Sequence, residues 1–120
     1  MANYVDGFVL PIPRKNIAAY IKMAKTAGKV WKDHGALEYF ECQADDVKKG
    51  KWTSFPQSVK LKAGEVVFFS YIVYKSRAHR DRVLAKVMKD PRLADMMDPS
   101  AMPFDGKRMI YGGFKPVVSL

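Results

Sequence analysis

The sequence holds one cysteine, Cys42, and two histidines, His34 and His79, among its 120 residues. A lone cysteine excludes an internal disulfide, so a packed core has to supply the stability, and a reducing cytoplasm is the expected setting. No CxxC pair, HExxH or glycine-rich phosphate loop is present, which removes the common signatures of structural zinc, metallopeptidases and nucleotide binding. A metal site built on two histidines would need Asp, Glu or Cys42 to complete it. No metal and no cofactor are expected. There is no run of about 18 apolar residues to make a spanning helix, so no membrane partner is expected. The opening MANYVDGFVLP carries an acid and a glycine but no basic segment, and it is not expected to be a signal peptide.

Negative charge is also scarce. Twelve Asp and Glu stand against 21 Lys and Arg, a formal charge of +9. A basic protein can contact nucleic acid, anionic ligands or anionic surfaces. Here the basic residues are dispersed, with Lys22, Lys25, Lys29 and Lys32 on one helix, Lys48, Lys49 and Lys51 in a loop, and Arg77 to Arg82 at a helix start. That spacing suits solvated faces. A non-enzymatic module using this surface on RNA or another polyanion is the alternative function, and nucleic acid is not favoured.

What the chain does have is a strand apolar on both sides. In EVVFFSYIVY, Val66, Phe68, Ser70, Ile72 and Tyr74 alternate with Val67, Phe69, Tyr71 and Val73. Both sets are largely apolar, so the strand needs cover on both faces. Helices of the same chain supply one cover. A chain of this length, which suits one domain over residues 1–120, has little left for the other. A second copy, and hence a homodimer, is the expected partner. Ser76 then reads as the N-cap of an amphipathic helix from Arg77 to Lys89 with Val83, Leu84, Val87 and Met88 on its apolar stripe.

The rest follows in order. Asn3 to Pro11 is a first strand, with Tyr4, Asp6, Phe8 and Leu10 on one face, stopped by Pro11 and Pro13. A helix from about Arg14 carries Ile17, Tyr20, Ile21, Ala24, Gly28 and Trp31 on one side, with Gly28 a point where the helix frays or another backbone closes in. Ala36 to Gln43 is a second strand, with Glu38, Phe40 and Cys42 on one face and Leu37, Tyr39 and Glu41 on the other. Asp45 to Gly64 is irregular, and its aromatic content points to a loop that packs down. Asp90-Pro91 opens a short helix to about Met97, Asp98-Pro99 and Asp105-Gly106 mark turns, and Arg108 to Phe114 is the last strand. Gly112-Gly113 within it implies a bulge or a close backbone approach. The tail from Lys115 is expected to be extended and to lie on a partner. The order β-α-β-β-α-β gives a ferredoxin-like α+β domain.

Candidate chemistry is sparse. Acids on inner strands are costly unless paired or hydrogen-bonded, so Asp6, Glu38 and Glu41 stand out. If the faces of Asp6 and Glu38 line one cavity, they form a polar site in an aromatic wall with perturbed pKa values. His34 lies four residues before Glu38 and reads either as a turn residue or as a third member. Asp6, Glu38 and His34 are the candidate catalytic residues, and Tyr4, Phe40, Tyr71 and Tyr111 the candidate ligand-binding ones. Cys42 reads as a small buried hydrophobe.

The stretches YVDGFVLPIP, GALEYFECQADDV, TSFPQSVKL, VVFFSYIVYKSRAHRDRVLAKVMKDPR and MPFDGKRMIYGGF, in this order over nearly the whole chain, resemble the YbaA-like family of small bacterial proteins of unknown function. The sequence has Tyr71 after Phe69-Ser70 where that family leads one to expect Trp. The resemblance implies a dimeric α+β barrel, in which two ferredoxin-like domains join through their sheets. It also implies a superfamily that includes cofactor-independent monooxygenases, haem-degrading enzymes and ligand-sensing modules. It supplies no catalytic residues. The expected function is therefore a cytoplasmic homodimer binding an unknown small, anionic or aromatic, molecule. As an enzyme it would be a cofactor-independent monooxygenase or an isomerase.

Overall fold

The computed structural model describes residues 3–96, 98 and 102–120. Four antiparallel strands, β1 (Tyr4–Pro13), β2 (Glu38–Gln43), β3 (Glu65–Tyr74) and β4 (Ile110–Phe114), form a sheet in the order β2-β3-β1-β4. Helix α1 (Ile17–Asp33) links β1 to β2, and α3 (Arg77–Val87) leads from β3 toward β4. Two one-turn helices, α2 (Phe55–Ser58) and α4 (Pro91–Ala94), sit in the connections. This is the split β-α-β arrangement of a ferredoxin-like α+β fold. No helix among the described residues is long and apolar enough to cross a membrane.

The even-numbered residues of β1 and β3 face the helices. Leu10, Ile12, Phe68, Ile72 and Tyr74 are buried there, and Val30, Val83 and Val87 close over them from α1 and α3. Each such fully buried valine contributes about 1.5–3 kcal/mol. Ser76 caps α3 as its position implies, accepting the His79 N–H at 3.1 Å. Asp90 caps α4 through the Arg92 N–H at 2.9 Å, with Pro91 at the first position. The C-terminal end expected for that helix, Met97, and Pro99 of the expected Asp98-Pro99 turn lie outside the described residues.

Three expectations change. β1 runs through both prolines, Pro11 opposite Val67 and Pro13 opposite Glu65. β4 pairs only with Val5 to Val9, so beyond Val9 the other side of β1 is an open edge, where a missing N–H is tolerated. Within the segment expected to be irregular, Phe55–Ser58 is a helical turn capped by Ser54. After it, the segment packs down through Val59 and Leu61, which meet Val9 and Val67, and not through the tryptophan that precedes the turn: Trp52 is 85% exposed, under the Lys51 ammonium.

The second sheet face is thus covered at one end only. Over the rest, Phe40 stacks on Tyr71 with centroids 4.9 Å apart, Phe69 lies 5.9 Å from Tyr71, and Phe55 lies 6.3 Å from Phe69. Phe40 and Phe69 are each 43% exposed, and Phe114 and Ile110 join them on β4. Cys42, expected to be buried, is exposed on this face. β4 is fastened to the start of β3 by Arg108, whose guanidinium donates to both Glu65 oxygens at 2.7 and 2.6 Å and to Asp105 at 3.0 Å.

Candidate ligand-binding cavity

A cavity of about 420 Å³ lies between the sheet and the helices. Its floor follows from the register. Cross-strand partners share a face, so Glu41, Ser70, Phe8 and Tyr111 form one row, and Tyr39, Ile72, Asp6 and Gly113 form the next. α1 contributes Tyr20, Met23, Ala24, Ala27 and Trp31 at helical spacing, and α3 contributes Arg80, Leu84 and Met88. The segment leading to β4 closes the cavity with Leu93, Met96, Met102, Phe104 and Met109.

Two acids stand on this floor, with backbones about 12 Å apart for strands about 4.8 Å apart rising about 3.3 Å per residue. Glu41 is held by two tyrosines. Tyr20 donates its hydroxyl to Oε1 at 2.7 Å and Tyr39 donates to Oε2 at 2.9 Å. Burial pushes the Glu41 carboxyl above its ordinary range, and the two hydroxyls offset this only in part. Burial and the neighbouring carboxylate push both tyrosines up as well. Tyr39 fits because residue 28 is glycine: a Cβ there would stand 3.0 and 3.1 Å from two ring carbons. The close approach foreseen at Gly28 is therefore by a ring, and α1 runs through it unbroken.

Asp6 forms the other polar corner. Its carboxyl is also raised by burial, against the lowering effects of Arg80 and a Tyr74 hydrogen bond. Trp31 Nε1 donates to the Tyr74 hydroxyl at 3.0 Å, tying α1 to the end of β3. Arg80 is pinned around the corner. It donates to Asp81 at 2.9 Å and to the Tyr4 hydroxyl at 3.3 Å, and lies over the Tyr4 ring. Its Nε is 3.3 Å from Asp6 Oδ1 at an angle that makes no hydrogen bond, leaving a buried donor without a partner. Gly113 is the close approach anticipated for the glycine pair, since a Cβ there would collide with the Tyr4 hydroxyl and the Arg80 guanidinium.

The sequence-derived candidates are thereby sorted. Asp6 and Tyr111 line the cavity, and Tyr4 holds Arg80 at its edge. Glu38, Phe40 and Tyr71 do not join them. Glu38 and Phe40 alternate with Tyr39 and Glu41 and so point to the outer face, where Tyr71 stacks on Phe40. Asp6 and Glu38 share no space, because the helices cover the opposite side of β2. His34 stands at the end of α1, its Nε2 2.9 Å from Asp90 Oδ2, and Asp90 also binds Arg92. That cluster ties α1 to α4 outside the cavity. Tyr20, Arg80 and Trp31 were missed as site residues, and Glu41 was noticed but passed over for Glu38. The signal for Glu41 was its place on the Tyr39 face, opposite the exposed aromatics. Among the described residues no group of three or more His, Cys, Asp or Glu is placed to hold a metal ion.

Comparison with known proteins places the chain. Residues 3–106 match the family described as "Protein of unknown function (DUF1428)", and the protein YbaA of Escherichia coli K12 is 47% identical over 97% of each chain. The chain belongs to this DUF1428 family, with YbaA a relative in both Escherichia coli and Shigella flexneri. Solved structures extend the likeness at the level of fold. SnoaB, a cofactor-independent oxygenase from Streptomyces nogalater, superposes with a TM-score of 0.57 at 13% identity, covering 99% of this chain and 95% of that one. A dimeric ferredoxin-like protein from an uncultured marine organism gives 0.56 at 11% identity, covering 100% and 98%. A NIPSNAP-family protein of unknown function from Agrobacterium tumefaciens gives 0.55 at 18%, covering 95% and 87%. The DUF1428 chain therefore shares the ferredoxin-like fold with an oxygenase and with a protein of unknown function, and fold alone assigns no chemistry.

Proposed function

We propose that the chain forms a homodimer through the outer sheet face and that each subunit binds a small, mainly apolar molecule in the cavity. The observation that carries this is the cavity itself. At about 420 Å³ it falls in the range of ligand pockets, roughly 300–1,000 Å³. Its methionines repack around ligands of differing outline, and its few polar groups stand at two fixed points, Glu41 and the Asp6–Arg80 corner. The homodimer is supported by the uncovered aromatics Phe40, Phe69 and Phe114, a patch of the kind that monomers seldom leave in water. A dimeric protein of this fold agrees with it.

A second reading, that the chain is a cofactor-independent oxygenase-like or isomerase-like enzyme, is favoured by the two carboxyls raised by burial. A carboxylate of raised pKa in a largely apolar cavity is suited to general-base work. Asp6 and Glu41 are then the acid–base candidates, and Tyr20, Tyr39 and Arg80 hold them.

Native mass spectrometry of the protein, purified without stripping bound species, tests both parts. A dimer carrying an added small mass per subunit is expected. A bare monomer refutes the dimer. A bare dimer that also fails to bind an apolar aromatic probe such as 1-naphthol refutes the cavity reading. Loss of turnover of the recovered molecule in Asp6→Asn or Glu41→Gln, with binding kept, supports the enzyme, and retention in both excludes it.

A further inference from the structure

The polar point at Glu41 has a chemistry of its own. Its carboxylate is half-buried, held against the rings of Tyr20 and Tyr39, and no Lys, Arg or His among the described residues comes within ion-pair distance of it. Each oxygen accepts one tyrosine hydroxyl. An ionised carboxylate has about four lone-pair sites, so about two stay open. Its holders are stiff: Tyr20 meets Phe68 and Phe104 edge-on at 5.1 and 5.6 Å, and Tyr39 is wedged against α1 at Gly28.

The charge count around the cavity points the same way. Among the described residues three charged side chains line it, Asp6, Glu41 and Arg80, two acids against one base. The charge of that base is shared between Asp6 and Asp81. In a chain of formal charge +9 this cavity is locally acidic, the reverse of what the composition suggests. Tyr20, Trp31, Tyr39 and Phe104 also line it, and an aromatic ring attracts a cation that lies over its face.

We propose that the Glu41 end is a subsite for the hydrogen-bond donor of an apolar, ring-bearing ligand, a hydroxyl or a protonated amine, and that it rejects a carboxylate. This deepens the cavity reading and rests on it. Ser70, directly across from Glu41 on β3, lines the same wall and offers a hydroxyl that can turn to either role.

The test is calorimetric binding of three probes of one ring size at neutral pH: 1-naphthol, 1-naphthylmethylammonium and 1-naphthoate. The first two are expected to bind, and naphthoate at least about tenfold more weakly, because a like charge beside a buried carboxylate is strongly disfavoured. Glu41→Gln, which keeps the shape and removes the charge, is expected to bring naphthoate to within about threefold of naphthol. Glu38→Gln, on the outer face, leaves the ratio as it was. Naphthoate binding as well as naphthol to the unaltered protein overturns the proposal while sparing the cavity reading, and so does a ratio untouched by Glu41→Gln. If that variant does not fold, the ratio in the unaltered protein decides. Failure of all three probes to bind overturns both.

Discussion

Replacing Gly28 by Ala sets two effects of opposite sign against each other at one atom. Gly28 lies in the interior of α1, where alanine is favoured by about 0.8–1.0 kcal/mol. Against that, the new methyl would stand 3.0 Å from Tyr39 Cδ1 and 3.1 Å from Cε1, well inside the optimum carbon separation of about 3.5–4.0 Å. The ring has little room to yield. Its backbone end is paired in the sheet opposite Ile72, its hydroxyl is tied to Glu41 at 2.9 Å, and Trp31 lies 6.2 Å away on the same side. Overpacking of this kind costs about 1–3 kcal/mol, so the net is a destabilisation of about 1 kcal/mol. With an unfolding entropy of about 2.1 cal/mol/K per residue, that lowers Tm by about 4 °C in a chain of this size. Thermal unfolding of four proteins measures it: the unaltered chain, Gly28→Ala, Tyr39→Ala and the double variant. In the Tyr39→Ala background the clash is gone and Gly28→Ala is expected to stabilise by about 1 kcal/mol. The sign reversal is the signature. If Gly28→Ala stabilises the unaltered protein, or if its effect is the same in both backgrounds, the contact between α1 and the Glu41 holder is not as described.

Arg108→Met, which removes the two-pronged grip on Glu65, is expected to cost about 2 kcal/mol in denaturant unfolding at neutral pH. Glu65 is held below its ordinary range first by this hydrogen bond, so its stabilisation is present above the unfolded value of about 4.3 and is lost as pH falls. The gap between the two proteins should narrow in acid, and a constant gap contradicts the pairing. Glu41 behaves in the opposite sense. Its folded carboxyl is raised by burial, so its favourable contribution is present in acid and fades as pH rises through the folded value. Measured against pH, the stability difference should therefore drift toward Glu41→Gln on going from acid to neutral, and a drift the other way refutes the burial argument. Phe69→Lys, on the uncovered face, should shift the protein toward monomer in sedimentation while leaving its circular dichroism intact, and an unchanged dimer places the interface elsewhere.

Much of the fold was legible because β3 states its surroundings outright. Its two apolar sets demand cover on both faces, and its end at Ser76 announces a capped helix. Gly113 and Gly28 were legible as places of close approach, though not what approaches them, since that depends on strand and helix placement across long stretches of sequence. The prolines of β1 misled because a missing N–H matters only where a neighbouring strand asks for it, and β4 stops short of them. The choice of Glu38 over Glu41 failed for a related reason. Alternation divided β2 correctly into two faces, but its aromatics, Tyr39 inside and Phe40 outside, mark both faces equally, so composition could not say which one the helices cover. Arg80 looked like part of a solvated basic helix start. Only the fold brings it against Asp6, more than seventy positions earlier.

The position of β1 has a consequence for how the molecule comes into being. β1, made before the other three strands of the sheet, is one of its two inner strands, and its neighbours arrive late: Tyr4 waits for Tyr74, and Val5 for Phe114. Such distant pairings carry a loop-closure cost before any contact repays it, which slows folding. On the ribosome, β1 leaves the exit tunnel long before β4 exists. Until Ile110 to Phe114 emerge, the edge that will hold Asp6 and Phe8 stays open to chance pairing. Chains broken off before β4 should then be sticky and short-lived, and the floor of the cavity is completed only when that strand emerges.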